Sequence, residues 1–125
     1  MKSKFSNTWK RSTQPRKQRK YRYNAPLHIR QKLIGVHLSK ELRQKHKRRT
    51  AGLRKGDKVK VLRGQFKGKT GKVERIDLKK LKVYIMGIES VKKEGTKEYI
   101  PIEPSNLLVT EFNLEDKKRR AKLQE

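Results

Sequence analysis

The hydrophobic pattern of this chain changes period near Lys55. Beyond it, apolar residues recur at every second position; before it, they recur sparsely at helical spacing. In "DKVKV", Val59 and Val61 fall on one side and Lys58 and Lys60 on the other. "GKVERID" sets Val73 and Ile76 inward, and the break in alternation between them predicts a bulge. "LKVYI" alternates through Leu81, Val83 and Ile85; "YIPIEP" contributes Ile100 and Ile102; "NLLVTEF" is a last strand, entered by a tight turn at Pro104-Ser105-Asn106. Five short strands separated by turn signals predict a small antiparallel barrel. Closure of such a barrel would leave no free edge.

The first half of the chain predicts short helices. "QPRKQRKYRYN" carries Pro15 in its first turn. "APLHIRQKLIG" opens at Pro26 and closes at Gly35, with Ile29 and Leu33 stacked at i,i+4 and Leu27 and Ile34 at i,i+7. "SKELRQKHKRR" has Ser39 as N-cap and a cationic last turn. The tail "NLEDKKRRAKLQE" predicts a helix capped by Asn113, with Glu115 and Asp116 at its positive end. The chain thus divides into a basic helical extension (1–50), a barrel (51–112) and a C-terminal helix (113–125).

Charge sharpens that division. The chain has 125 residues and a formal net charge of +25. Residues 1–54 hold 18 Lys or Arg against one acid, Glu41, whereas residues 101–125 hold five of each sign. Self-repulsion on this scale favours a polyanionic partner, and nucleic acid is the foremost one, because cations that neutralise phosphates release counterions. The extension is expected to order only on that partner, since its thin apolar content does not offset its ordering entropy. There is no cysteine, which excludes disulfides and thiolate metal sites and fits a reducing cytoplasm. "MKSKFSNTWK" has no apolar core of a secretory signal, and no apolar run approaches a membrane span.

"RGQFKGKTG", residues 63–71, resembles a phosphate-binding nucleotide loop, yet that pattern needs glycine at position 63, where arginine stands. The loop should also lead into a helix, and "GKVERID" has strand alternation instead. The stretch reads better as a hairpin tip. Gly64, Gly68 and Gly71 permit positive φ and close backbone approach, and Arg63, Lys67, Lys69 and Lys72 can meet phosphates of a folded RNA. In the extension the candidate RNA contacts are Arg11, Arg16, Lys17, Arg19, Lys20 and Arg22, then Arg30 and Lys32, then Arg43, Lys45, Lys47, Arg48 and Arg49. Trp9, Tyr21, Tyr23 and Phe66 are candidates for stacking on bases, with docking on the barrel as the competing role.

No metal site is expected. His28, His37 and His46 lie nine apart, which puts neighbours on opposite sides of a helix. No nucleophile–base arrangement appears, so the chain is expected to be neither an enzyme nor a cofactor or small-molecule binder.

Gly56-Asp57-x-Val59-x-Val61-x-x-Gly64-x-x-Lys67-Gly68-x-x-Gly71-x-Val73 resembles the KOW motif, a strand, glycine loop and strand within an SH3-like barrel. "YNAPLH" followed by "LSKELRQK" is more specific. It resembles the N-terminal extension of the KOW family numbered twenty-four among the large-subunit ribosomal proteins of bacteria and archaea and twenty-six in eukaryotes, in its archaeal and eukaryotic form. The likeness runs from about Thr13 to Val109. It implies a structural RNA-binding protein, cytoplasmic and ribosome-bound. Such a protein contacts the 5′ region of the large-subunit rRNA, initiates assembly early and lies outside the mouth of the polypeptide exit tunnel. Its implied partners are that rRNA, neighbouring ribosomal proteins and exit-tunnel-associated targeting factors. Two rivals remain. A KOW-domain transcription elongation factor would carry a polymerase-binding domain where this chain has a basic arm. A membrane-surface protein would show a wider apolar face on its basic helices.

Overall fold

The computed structural model describes residues 5, 6, 8 and 11–124. Helix α1 (Pro15–Asn24) and helix α2 (Leu27–Leu33) form as expected; neither buries a residue within its own span. Ile34, expected on the second helix, caps it instead, and strand β1 (Gly35–Leu38) begins at the residue expected to end it. Helix α3 (Lys40–His46) follows, its Leu42 amide donating to the Ser39 hydroxyl at 3.4 Å. Then come β2 (Thr50–Gly52), β3 (Lys58–Val61), β4 (Thr70–Asp77), β5 (Lys82–Ile85), β6 (Glu89–Val91), β7 (Lys97–Tyr99), β8 (Leu107–Glu111) and helix α4 (Lys117–Gln124).

The expected closed antiparallel barrel is corrected. Six strands form one mixed sheet in the order β2-β1-β8-β3-β4-β5, and β6-β7 is a separate two-stranded ribbon. No ladder joins β5 back to β2 among the described residues. The expected strand at Ile100–Ile102 is reduced to one bridge, between Ile102 and Val83. The difference originates in the extension. Val36 and Leu38 alternate with exposed Gly35 and His37, a period-two signal hidden between two helical patterns. β1 pairs in parallel with β8, the last sheet strand, and antiparallel with β2. The extension therefore covers an edge of β8.

The alternation within the barrel segment held where strands are short and one face is covered. Val59 and Val61 are buried between exposed lysines, and the register shift between Val73 and Arg75 is the expected bulge. β5 departs from it: Val83, Tyr84 and Ile85 are all buried, and Leu81 leaves the strand at φ 56°.

One core gathers residues from all three sequence segments. Ile34, Val36 and Leu38 of the extension pack with Val59, Val61, Val73, Val83, Ile85, Leu107 and Val109 of the sheet, and with Leu123 of the tail. The extension's thin apolar content is concentrated at residues 34–38, where three large side chains are at most 2% exposed.

Candidate nucleic-acid interface

The glycine loop joins β3 to β4 as a hairpin tip. The Val61 amide donates to the Lys69 carbonyl at 2.9 Å and the Gly68 amide to the Val61 carbonyl at 2.8 Å, closing the tip. Gly64 (φ 93°) and Gly68 (φ 89°) occupy left-handed conformations. Gly71 serves differently: a Cβ there would lie 2.5 Å from the Met86 carbonyl oxygen, so β5's end approaches its backbone directly. Arg63, Lys67, Lys69 and Lys72 are exposed around the tip. Phe66 is half-buried against the core with the Lys69 ammonium 4.9 Å from its ring centroid, so that face of the ring is occupied within the protein.

Beside the tip, Lys58 of β3 stands directly opposite Lys72 of β4, with Lys60 two positions on along the same face. Like charges paired across strands destabilise a sheet; Glu111 of β8, opposite Lys58 on the other side of β3, offsets this for that lysine, whereas Lys60, between Thr70 and Leu108, has no acid across from it. Lys58 and Lys60 were not among the contacts expected from the sequence, although the "DKVKV" alternation already put them outside the core.

In the extension, Arg16, Arg19, Lys20 and Arg22 are exposed along α1, Arg11 is exposed ahead of it, and Lys17 is half-buried. Tyr21 rests its ring 4.9 Å from that of Phe5, whereas Tyr23 is 82% exposed and available for stacking. Trp9 lies outside the described residues. Lys32 is exposed on α2. Arg30 has a structural role instead. Its guanidinium donates to the carbonyls of Tyr23, Ala25, Leu78 and Lys79, fastening α1 and α2 to the turn between β4 and β5. With its donors committed to four carbonyls, Arg30 holds the arm in place. Arg43, Lys45, Lys47 and Arg49 are exposed on and after α3. Half-buried Arg48 donates to the Lys122 carbonyl at 2.7 Å, and His46 Nδ1 lies 3.0 Å from the Leu123 carbonyl, so both hold the end of α4.

The tail's helix begins later than expected. Asn113 accepts only from the Glu115 amide, and Asp116 receives the Lys118 amide at 3.0 Å as the actual cap. The residue that sequence reasoning missed is Arg119. It is buried with Asp57, its two terminal nitrogens 2.5 Å from the two carboxylate oxygens, while Asp57 also accepts the Arg54 and Asn113 amides. Nothing in the spacing of Asp57 and Arg119, 62 residues apart, announces the pair. The Arg54 guanidinium beside Asp116 lowers that carboxyl's pKa, helped by the Lys118 amide.

Of the tail acids, Asp116 is held here by Arg54. A hollow of about 650 Å3 beside this pair is lined by both signs, Glu74, Glu115 and Asp116 against Arg54, Lys55 and Arg75, and does not suit a polyanion. No group of three His, Cys, Asp or Glu able to hold a metal occurs among the described residues, and no helix there is long and apolar enough to cross a membrane.

A family model for the ribosomal proteins called L26 in eukaryotes, and for their archaeal counterparts numbered twenty-four, matches residues 12–125. The chain belongs to that family. Two curated relatives carry the same assignment. The large ribosomal subunit protein uL24 of Methanosphaera stadtmanae is 50% identical over 112 residues, covering 90% of this chain and 96% of the relative. That of Methanospirillum hungatei is 48% identical over 112 residues, covering 90% and 93%. A protein of the uL24 family is a structural component of the large ribosomal subunit, not an enzyme. The family match includes the tail, which the motif likeness did not reach.

Proposed function

We propose that this chain binds directly to the 5′ region of the large-subunit rRNA and joins the subunit early in its assembly. It sits on the outer surface near the mouth of the polypeptide exit tunnel, ribosome-bound in the cytoplasm. The observation that supports RNA contact is the separation of charge. Among the described residues, Arg54, Lys82, Lys92 and Arg119 are held in ion pairs, and these four lie outside the arm helices and the hairpin tip. Glu41 is the single acid of residues 1–54. The exposed cations of α1, α3 and the β3–β4 face thus have few carboxylates to meet. Such a surface gains most from phosphates, whose contacts position a protein on RNA. The β6–β7 ribbon, with Glu89, Glu94 and Glu98 balancing Lys92, Lys93 and Lys97, suits a protein neighbour better, either a large-subunit protein or an exit-tunnel-associated targeting factor.

Binding of the purified chain to transcripts of separate rRNA domains tests the proposal. Preference for the 5′-region transcript, with co-sedimentation on large subunits in a sucrose gradient, is the expected result. Equal binding to a 3′-region transcript would refute the 5′ assignment.

A further inference from the structure

The outer side of α3 holds a cleft of about 540 Å3 lined by Lys40, Arg43, Gln44, Lys47, Arg48 and Arg49. Five of six lining residues are cations, and no acid lines it. Two of them stand where the fold alone would not put them. Lys40 is the first residue of α3, at the positive end of the helix dipole, where an acid is favoured and a cation is not. Lys47 caps the other end at φ 55°, a left-handed conformation that glycine or asparagine adopts at lower cost. The dipole explains cations in the last turn, and Arg43, Lys45 and His46 already supply them. It explains neither Lys40 nor a left-handed lysine. Both locally unfavourable choices line the same cleft, and residues that break local rules concentrate where a ligand is met.

We propose that this cleft is a seat for the RNA sugar–phosphate backbone, taking two or more consecutive phosphates between Lys40 and Lys47. Arg43 and Arg49 present guanidinium forks to phosphate oxygens. Arg48 is a positioning residue: its bond to the Lys122 carbonyl ties the cleft wall to the end of α4. The inference rests on the reading that the chain binds RNA, and it names where the backbone is gripped.

The test exploits the conflict between fold and ligand. In the full chain, Lys40→Glu with Lys47→Gly repairs both helix ends while taking away both lysines of the cleft and leaving its arginines. The expected result is a Tm at or above that of the wild type. Affinity for a short RNA duplex should fall at least about tenfold at moderate salt, and the log–log salt slope should shrink by about 1.4–1.8, the share of two phosphates. Lys93→Glu with Lys97→Gln makes the same change of net charge on the β6–β7 ribbon and should leave the slope nearly intact. Equal weakening by the two pairs would mean diffuse attraction and overturn the seat. So would unchanged binding by the cleft pair, or a lowered Tm showing that these lysines serve the fold. Competition by polyglutamate as effective as by RNA would overturn the phosphate assignment. Because the cleft is read on an unrelated duplex, loss of preference for the 5′-region transcript refutes only the specificity proposed above. Failure of the wild type to bind either RNA refutes both.

Discussion

Asp57 and Arg119 show what a single pair of residues decides. A buried carboxylate without partners is very costly, and here two amides and a bidentate guanidinium satisfy it. Arg119 also lies 5.0 Å over the Phe112 ring. Arg119→Met should therefore destabilise by about 3–5 kcal/mol, because it leaves Asp57 charged and buried. Denaturant unfolding of Arg119→Met, Asp57→Asn and the double variant checks this; strictly additive losses would show the pair is not coupled. The glycines separate by the same logic. Gly68→Ala should cost about 1–2 kcal/mol through its φ alone, and Gly68→Asn should recover much of it. Gly71→Ala strikes the Met86 carbonyl, so Gly71→Asn should recover nothing. Thermal melts of the four variants distinguish the two causes. Asp116, held low by Arg54, adds stability that is present above the ordinary carboxylate range and is lost as pH falls through its depressed pKa. The Tm difference between wild type and Asp116→Asn should accordingly vanish on strong acidification.

β1 is the element that changes the picture of the extension. It buries Val36 and Leu38 beside β8, with Ile34 just before it. Burial of three such side chains is worth at most about 5–9 kcal/mol, comparable with the whole stability of a small domain. Deleting residues 1–50 should therefore unfold the sheet rather than leave a free-standing barrel. Deleting residues 1–14 removes none of the core residues among those described and should leave the Tm nearly unchanged. Circular dichroism melts of the two truncations check both outcomes. Amide exchange carries the finer expectation: slow exchange across β1 in the free protein, and fast exchange across α1, which buries nothing of its own.

At the scale of the whole molecule, extension, sheet and tail are fastened by polar clamps as well as by the core. Arg30 binds carbonyls of α1 and the β4–β5 turn, while His46 and Arg48 bind those closing α4. Asp116 of the tail is paired with Arg54 and buried Asp57 with Arg119, and exposed cations face outward on α1, α3 and the β3–β4 face. Affinity for RNA should then fall steeply with salt, with a log–log slope of about −0.7 to −0.9 per phosphate contacted and roughly 6–10 phosphates in contact. Binding measured from low to moderate salt tests this; a flat response would remove phosphate contact as the source of affinity.

Strands β3, β4, β5 and β8, the three extension helices, the Ser39 cap and the hairpin tip were legible in the sequence, because each is set by contacts within a few residues: alternation, proline, a cap, a glycine that can turn. The family was legible too, through "YNAPLH", "LSKELRQK" and the glycine motif. β1 was not, since four residues between helical patterns carry too little periodicity to announce a strand, and its partner β8 lies some 70 residues later in the chain. Nor was the role of Arg30 or Arg119, each a cation like many others until the fold brings carbonyls or a buried carboxylate to it. Local chemistry determined which elements form and which residues are charged. The tertiary structure alone decided which of those charges are consumed inside the protein and which are left for a partner, because that depends on distances between residues far apart in the chain.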